Sequence, residues 1–332
     1  GGSFAKSMNF YTNCTLDHGI HQTIVPYVYI FVFVVGLPTN LLSLYYSFLQ
    51  IKQKNELGIY LCNLTISDLL YLASLPLWVH YMLQHDDWVL APILCKICGV
   101  LLYENIYITI GFLCCISVNR FLAVVYPLHF KSLHTMRGAM AVSLLIWLKE
   151  IVVYSVFLRS RALSRDHDND SLCFEHYPMR SLEKKVNVYR LLIGFLLPFF
   201  LLFFCYIKVL QTIQKSPGIR GPSKIRIKRL VFSTIVIFLC CFGPYHVFLM
   251  ARTIFEVDCE FANEIFDTYH FGLMLTSLNC VADPILYCFV SESTQNRLTR
   301  LLTPIRKFSA CTTRRNSLEL VAPVTQKFAL MT

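Results

Sequence analysis

The chain has 332 residues, of which 55% are hydrophobic and only 15% are charged, and its formal net charge at pH 7 is +10. This composition is too apolar for a soluble domain of that length, and it excludes a disordered protein. The positive charge is concentrated in a few loops and the tail, so we expect no nucleic-acid partner. The composition predicts a membrane protein.

Seven apolar segments are long enough to cross a bilayer. A span needs roughly 20 mostly apolar residues to cross about 30 Å of hydrocarbon. It must be helical, because lipid cannot satisfy its backbone polar groups. We place the spans at about 24–50, 58–83, 93–125, 139–158, 188–212, 229–254 and 266–290.

The remaining segments complete the predicted organisation. Residues 1–23 form an extracellular segment, 24–290 the seven-transmembrane helix bundle, 291–303 a short amphipathic helix on the membrane surface, and 304–332 a cytoplasmic tail. Residues 1–22 contain no apolar stretch typical of a cleavable signal peptide, so the first span can act as its own anchor. Gly1-Gly2-Ser3 is typical of a fusion linker and is left out of the interpretation. The fold class is an all-α membrane protein.

Basic residues predict the orientation. They are concentrated in the loops after spans one, three and five: Lys52, Lys54, Lys131, Arg137, Lys215, Arg220, Lys224, Arg226, Lys228 and Arg229. The opposite loops are mainly acidic, although Arg159, Arg161 and Arg165 also lie there. The positive-inside rule therefore places the N-terminus outside and the C-terminus in the cytoplasm, as in a multi-pass plasma-membrane protein.

Most of the 14 cysteines lie within spans, where they pack as small hydrophobic residues. Four map instead to the predicted outer face: Cys14, Cys95, Cys173 and Cys259. Glycosylation sequons begin at Asn13 and Asn169 on the same face. A third sequon, at Asn63, falls within span two and should stay unmodified.

The seventh span carries the most informative motif. Asp283 and Pro284 stand where a membrane helix should hold neither, because a buried charge and a missing backbone donor are both costly there. Together with motifs in the other spans, this pattern resembles the rhodopsin-like (class A) G-protein-coupled receptors. The matching residues are Asn40, Leu64, Asp68, Cys95, Asn119-Arg120-Phe121, Trp147, Pro198, Tyr206, Cys241-Phe242-Gly243-Pro244 and Asp283-Pro284-Ile285-Leu286-Tyr287.

Further motifs are similar to the proton-sensing subfamily of these receptors. They are Asn55 to Leu61, Leu113 to Val118, Cys173 to Pro178 and Pro244 to Val247. The resemblance implies a receptor, not an enzyme, that responds to external acid and signals through heterotrimeric G proteins of the Gq or Gs type. It also implies arrestin, receptor kinases and membrane lipids as partners. The four outward cysteines predict the disulfides Cys95–Cys173 and Cys14–Cys259.

The histidines support a pH-sensing role independently. Histidine alone has an unperturbed pKa in the physiological range, so an external pH sensor needs histidines on its outer face. The predicted sensors, which the expected disulfides would gather around one vestibule, are His18, His21, His85, His176 and His270, with His80, His246 and Glu175 as additional candidates. The alternative to sensing is a structural role for each histidine. We prefer a solvated loop position for His167, whereas His246 is equally consistent with packing in the core and with acting as a switch.

Three carboxyl groups inside the bundle form a second predicted layer: Asp68, Glu150 and Asp283. The resemblance implies that they sense protons together. The alternatives are a sodium site between Asp68 and Asp283, and a singly hydrogen-bonded Glu150. We expect no bound cofactor beyond the proton as agonist. Modulation by sodium or a divalent metal stays open, since His18 and His21 have the spacing of half a metal site but no third ligand.

Arg120, Tyr206, Phe242, Pro244 and Tyr287 match the residues that rearrange when class A receptors receive a G protein. Asn119 stands where that pattern has aspartate, and Phe121 where it has tyrosine. Since Asn119 cannot form a charge-assisted pair with Arg120, we expect raised basal activity. A further departure is Asp170, where the member of the subfamily that the chain most resembles has a histidine.

There are two alternative classes of function. The first is a receptor for a lysolipid or another anionic ligand held by Arg159, Arg161 and Arg190, with protons as modulators. The second is a transporter or membrane enzyme, which would need inverted repeats or a nucleophile with its base. The sequence shows neither feature.

Overall fold

The computed structural model describes residues 21–127, 135–158, 164–165, 171–173, 179, 181–215 and 221–290, and for residues 21, 156–158, 164–165, 171–172 and 287–290 it describes the backbone alone. The chain divides into two compact units, Gly1–Tyr287 and Cys288–Thr332. The predicted surface helix 291–303 and tail 304–332 lie outside the described residues.

Long helices dominate the described part of the chain. They are α1 His21–Lys52, α2 Leu57–Leu83, α3 Pro92–Val125, α4 Met136–Leu158, α5 Ser181–Lys215, α6 Gly221–Phe255, α7 Cys259–Ser277 and α8 Asn279–Val290. A short antiparallel pair, β1 Ser164–Arg165 and β2 Ser171–Leu172, lies between α4 and α5. This hairpin was not predicted.

The helices agree with the predicted spans, with one division. Within the described residues, α1 to α6 are each long and apolar enough to cross a membrane. The seventh predicted span, 266–290, consists of α7 and α8, which are separated at Leu278. Helices α5 and α6 begin several residues before their predicted spans. Their first turns are helical, but they are too polar for a prediction based on apolar segments to include them. The predicted all-α bundle is confirmed.

Helix α3 is the central helix of the bundle. It contacts α2, α4, α5 and α6, while α1 contacts both α2 and α7 and so closes the ring. We call the two ends of the bundle the disulfide end, marked by Cys95, and the Arg120 end. At the disulfide end, Cys95 at the start of α3 is bonded to Cys173.

Helices α5 and α6 each contain a π-helical segment. The segments are Arg190–Leu196 and Phe238–Phe242, and each ends two residues before a proline, Pro198 or Pro244. Proline removes one i to i−4 hydrogen bond and crowds the preceding turn, which favours a locally widened helix. Such segments are frequent at functional sites. Each of the two helices therefore has a preferred bending point near its middle.

Pro284 has a comparable effect on α8, and a neighbouring helix compensates it. Its missing N–H leaves the carbonyl of Cys280, four residues earlier, without its usual helical donor. The side chain of Asn40 on α1 supplies one instead, with its Nδ2 donating to Cys280 O at 2.7 Å and to Gly36 O at 2.9 Å. The proline therefore creates a specific joint between α1 and α8.

Gly194 allows α5 to approach α3 closely. A Cβ atom there would lie 2.7 Å from Cε1 of Tyr107, whose ring is buried. We expect Gly194→Ala to displace Tyr107 and to lower the free energy of unfolding by about 1–3 kcal/mol, the usual cost of overpacking. Gly243→Ala is the matched control, because a Cβ there meets nothing within 4 Å. Equal thermal unfolding of the two purified variants would contradict this packing.

Candidate functional site

A hydrogen-bonded polar network joins α2, α3 and α8 in the middle of the bundle. Asn105 on α3 donates through Nδ2 to Asp68 Oδ1 at 2.9 Å, and to Ser67 Oγ at 3.3 Å. Asn279 on α8 donates to Asn105 Oδ1 at 3.1 Å and to Thr109 Oγ1 at 3.2 Å. All five side chains are buried. A change at any of these residues therefore alters hydrogen bonding in a network shared by three helices.

Asp283, the predicted partner of Asp68, lies on α8 beside this network. The Cys280 thiol, one residue from Asn279, donates to Asp68 Oδ1 at 3.5 Å. Asp283 lies one turn further along α8 and interacts electrostatically with Asp68. The two carboxyl groups are 0% and 1% exposed, so they are removed from bulk solvent.

The hydrogen bonding of this carboxyl pair is incomplete. Within the described residues, Oδ2 of Asp68 and both oxygens of Asp283 have no hydrogen-bond partner. Burying a carboxylate without a donor or counter-ion is costly, and burying two together is costlier. The arrangement is therefore favourable when a proton or a small cation neutralises part of the charge.

Glu150 stands apart from this pair. It is buried on α4, and its Oε1 forms an ion pair with Lys149 Nζ at 2.6 Å. It also interacts electrostatically with Glu104 on α3, a half-buried residue that the sequence analysis did not single out. Among the described residues, no hydrogen bond joins Glu150 to the Asp68 network. The structure thus brings together two of the three predicted carboxyl groups.

His246 is a core residue with one ring nitrogen unused. Its Nδ1 contacts Phe242 O at 2.7 Å, whereas Nε2 is buried and has no described partner. The ring stacks on Phe195 of α5 at 4.2 Å between centroids, and Phe195 in turn stacks on Phe238 at 5.1 Å. His246 therefore packs directly against both π-helical segments.

The other predicted histidines occupy different settings. His270 on α7 is buried, and its Nδ1 contacts Phe266 O at 2.9 Å. His80 and His85 are exposed at the end of α2, and His85 has a positive φ of 57°. The neighbouring Asp86 is buried and accepts from Gln22 Nε2 of α1 at 2.8 Å, which fixes this turn. His18, His176 and Glu175 and the side chain of His21 lie outside the described residues.

A buried arginine in α5 is surrounded by tyrosines. Arg190 donates through NH2 to Tyr154 OH at 2.8 Å and through NH1 to Asn187 Oδ1 at 3.3 Å. Its guanidinium lies 4.4 Å from the ring centroid of Tyr103 and 5.7 Å from that of Tyr107. Cation–π contacts of this kind partly replace lost hydration. The sequence analysis considered Arg190 only as a headgroup ligand, although a charge inside an apolar span is itself a signal.

At the disulfide end, an ion pair joins α5, α6 and the segment between α4 and α5. We call Arg252 and Glu256 the Arg252–Glu256 clasp: Arg252 donates to both carboxylate oxygens of Glu256, through Nε at 2.5 Å and NH2 at 3.1 Å. Glu256 also accepts from the backbone N–H of Met179 at 2.8 Å, and its carbonyl accepts from Lys184 Nζ at 2.7 Å. The Arg252 guanidinium lies 4.4 Å from the Tyr269 ring centroid on α7. Sequence analysis missed this clasp, although its i, i+4 spacing is a signal.

At the Arg120 end, apolar residues of α3, α5 and α6 pack together. The buried members are Val209, Ile213 and Val231, with Phe121, Val124, Tyr206 and Ile227 packed around them. Two predicted activation residues, Phe242 and Pro244, lie further along α6, on the side of the disulfide end, and Phe242 is fully buried. The side chain of Tyr287 lies outside the described residues. The cluster fills the space between α3, α5 and α6 at this end.

Asn119 and Arg120 lie beside that cluster on α3. Asn119 is 2% exposed. Its Oδ1 and the Nε of Arg120 have no hydrogen-bond partner within the part of the chain that the structure describes. The contact that an aspartate would make with this arginine is therefore missing here.

The two expected disulfides have different outcomes. The Cys95–Cys173 bond is confirmed. Cys259 is also disulfide-bonded, but Cys14 lies outside the described residues, so the Cys14–Cys259 pairing stays a prediction. Asn13 and Asn169 are likewise outside. Asn63, the third sequon, lies within α2 and accepts from Trp147 Nε1 at 3.0 Å.

Comparison with known families identifies the class of protein. A family model for the seven-transmembrane receptors of the rhodopsin family matches residues 39–287. The chain belongs to this family, whose members are multi-pass membrane receptors that couple to G proteins and are not enzymes. The motif-based resemblance is confirmed.

Particular receptors are similar over most of the chain. Mouse G-protein coupled receptor 68 is 54% identical over 289 residues, which cover 87% of this chain and 79% of that receptor. Human G-protein coupled receptor 65 is 41% identical over 288 residues, which cover 83% and 86%. The mouse platelet-activating factor receptor is 31% identical over 326 residues, which cover 94% and 95%.

Proposed function

We propose that this protein is a proton-sensing receptor of the plasma membrane, with its N-terminus outside and the Arg120 end in the cytoplasm. Acidification protonates outer histidines and buried carboxyl groups, and the receptor then activates G proteins of the Gq or Gs type. The observation that carries the proposal is the buried pair of carboxyl groups, Asp68 and Asp283. Three of their four oxygens have no hydrogen-bond partner among the described residues, and Asp68 belongs to a network that joins three helices. Arrestin and receptor kinases complete the proposed set of partners.

Energy considerations favour several sensors over one. Moving a two-state equilibrium from 1:99 to 99:1 takes roughly 5.5 kcal/mol. One unit of pKa difference between the states supplies only about 1.36 kcal/mol. Protons activate only if the active arrangement binds them more tightly than the resting one does. The proposal therefore distributes sensing over the outer histidines, Asp68 and Asp283, with Glu150 as a further member.

The alternative of an anionic-ligand receptor has less support. Arg190, one of its three proposed headgroup ligands, already donates to Tyr154 and Asn187 and is enclosed by aromatic rings. Arg159 and Arg161 lie outside the described residues. Similarity to a platelet-activating factor receptor is compatible with the alternative, but the identity is lower than for the other two receptors.

A direct experiment tests the proposed function. Second-messenger output is measured from pH 8 to pH 6 in receptor-positive and receptor-null cells, with separate readouts for Gq and Gs. We expect output that rises with acid only in receptor-positive cells. Sodium is then replaced by an impermeant organic cation outside the cells. A response that follows sodium but not pH would overturn proton sensing in favour of a sodium site at Asp68 and Asp283.

Distributed sensing makes a second prediction about the shape of the curve. Replacing His270, His85 or His21 singly with phenylalanine should shift the pH response toward acid and flatten it, without abolishing it. Each change removes one of several contributions of about 1–1.5 kcal/mol. The measurement is a set of pH-response curves at equal surface expression. His167→Phe is the control, because we expect His167 to be a solvated loop residue. A wild-type Hill coefficient near one would favour a single dominant switch.

The missing aspartate beside Arg120 makes a third prediction. Asn119→Asp should lower ligand-independent signalling at pH 8 about fivefold, because a charge-assisted hydrogen bond contributes roughly 1 kcal/mol or more to the resting state. Asn119→Ser is the control that keeps the site neutral and polar. The readout is G-protein activation at matched surface expression, and unchanged output in the aspartate variant would refute this explanation.

A further inference from the structure

A cavity on the side of the bundle lies outside the Asp68 network. Its volume is about 320 Å³, and it lies in the half of the bundle nearer the Arg120 end. Helices α2, α3, α4 and α5 and the residue before α2 line it, including Glu56, Tyr60, Cys115, Val118, Val142 and Leu201. Small-molecule pockets commonly begin at this size, and most of their lining is apolar. The cavity is therefore large enough for a small organic ligand.

One charged group stands in this lining. Glu56 is half-buried, and its carboxylate makes no hydrogen bond or ion pair with any described residue. Tyr60 follows one helical turn later, on the same face, and its ring also lines the cavity. A carboxylate beside an aromatic face attracts an ammonium group by charge and by cation–π contact. The remaining walls are mainly aliphatic or thiol groups.

The surrounding charges are compatible with this preference. Lys149, on α4 near Cys114, forms an ion pair with Glu150. Arg137 is exposed to the outside of the bundle. Arg120 interacts electrostatically with Glu56 across the gap between α2 and α3. Glu56 is therefore the group in the lining that a ligand can pair with, and it also acts on the arginine beside Asn119.

We propose that this cavity binds a small cationic amphiphile, with its ammonium group at Glu56 and Tyr60 and its apolar body against Val118, Val142 and Leu201. Pairing of Glu56 with such a ligand weakens the attraction between Glu56 and Arg120, so occupancy alters G-protein coupling. The site is independent of proton sensing, because it shares no residue with the Asp68 network or the outer histidines.

Cys115 provides a direct probe of the site, since its half-buried thiol lines the cavity. Methanethiosulfonate reagents react with the thiolate, which attacks the sulfenyl sulfur, forms a mixed disulfide and expels methanesulfinate. The purified full-length receptor in nanodiscs is labelled with the ethylammonium or the ethylsulfonate reagent. Rates are normalised to those with a free small thiol, and Cys115→Ala identifies the signal from this residue.

We expect the cationic reagent to modify Cys115 at least about tenfold faster than the anionic one, because of the nearby carboxylate. Glu56→Gln should remove most of this preference. Glu260→Gln, which removes an exposed carboxylate at the disulfide end, should not. Val142→Trp should slow both reagents by filling the cavity, and it keeps the test informative if Glu56→Gln folds poorly.

The outcomes separate the possible occupants. Rapid labelling without charge preference would show a cavity filled by bilayer lipid and would overturn the cationic site. Slow labelling by both reagents in the wild-type receptor, at a rate that Val142→Trp does not lower further, would show that the cavity is not accessible and would also overturn the proposal. As the functional readout, attachment of the ethylammonium group at Cys115 should raise G-protein nucleotide exchange at pH 8 relative to unlabelled receptor. Failure of proton sensing would leave the labelling result unaffected.

Discussion

Replacing Asp283 with asparagine should raise signalling at pH 8 and flatten most of the acid response. Asparagine has nearly the shape of a protonated aspartate but cannot become charged, so the variant holds one member of the pair permanently neutral. It also removes the repulsion between Asp68 and Asp283 that a proton would otherwise relieve. We expect an effect larger than that of any single outer histidine, because Asp283 belongs to the same buried pair as Asp68 and Pro284 follows it directly.

The measurement is a pH-response curve from pH 8 to pH 6 at equal surface expression, for the wild type, Asp283→Asn and Asp68→Asn. Ser277→Ala is the matched control, since Ser277 is buried at the end of α7 but donates only to Met274 O in its own helix. A steep and unshifted response in Asp283→Asn would remove this residue from the proposed sensor. Loss of sodium sensitivity alone would assign the pair to a cation site.

The second large effect is expected at the disulfide end. Cys173→Ala removes the bond to Cys95, which closes a loop with a sequence separation of 78 residues. Loops of this length correspond to a stabilisation of about 4 kcal/mol. We therefore expect a sharp fall in surface expression and in the thermal unfolding temperature of whatever receptor is recovered.

Cys98→Ala is the control for this change. Cys98 is a buried free thiol one turn along α3 from Cys95, so its truncation costs packing but no covalent bond. If both alanine variants unfold at the same temperature, the disulfide contributes little to the stability of the bundle. The experiment also separates stability from sensing, because a receptor that expresses poorly but keeps its pH midpoint has lost only the former.

Much of the bundle was predictable from the sequence because lipid imposes a simple rule. Every spanning segment must be apolar and helical, so the spans could be placed by length and composition alone. The pairing of Asp68 with Asp283 was predicted from the family resemblance, and the Cys95–Cys173 bond from the four outward cysteines. Both predictions concern residues whose polarity or position stands out against an apolar background.

The specific contacts could not be predicted, because they depend on which faces of the helices meet. Asn40 was recognised as a motif residue, but its bond to the carbonyl freed by Pro284 requires the register between α1 and α8. The π-helical segments of α5 and α6 are local responses to proline and packing that hydropathy does not report. Glu56 looked like an ordinary loop residue, and only the structure places it in the lining of a cavity.

The Arg252–Glu256 clasp is shielded from the solution around the protein. Glu256 is 0% exposed and Arg252 is 6% exposed, so dissolved ions reach their bond poorly. Charges on the protein surface are weakened by salt over a distance of about 8 Å at physiological ionic strength. We therefore expect the attachment of α6 to its neighbours to depend little on the salt concentration of the solution.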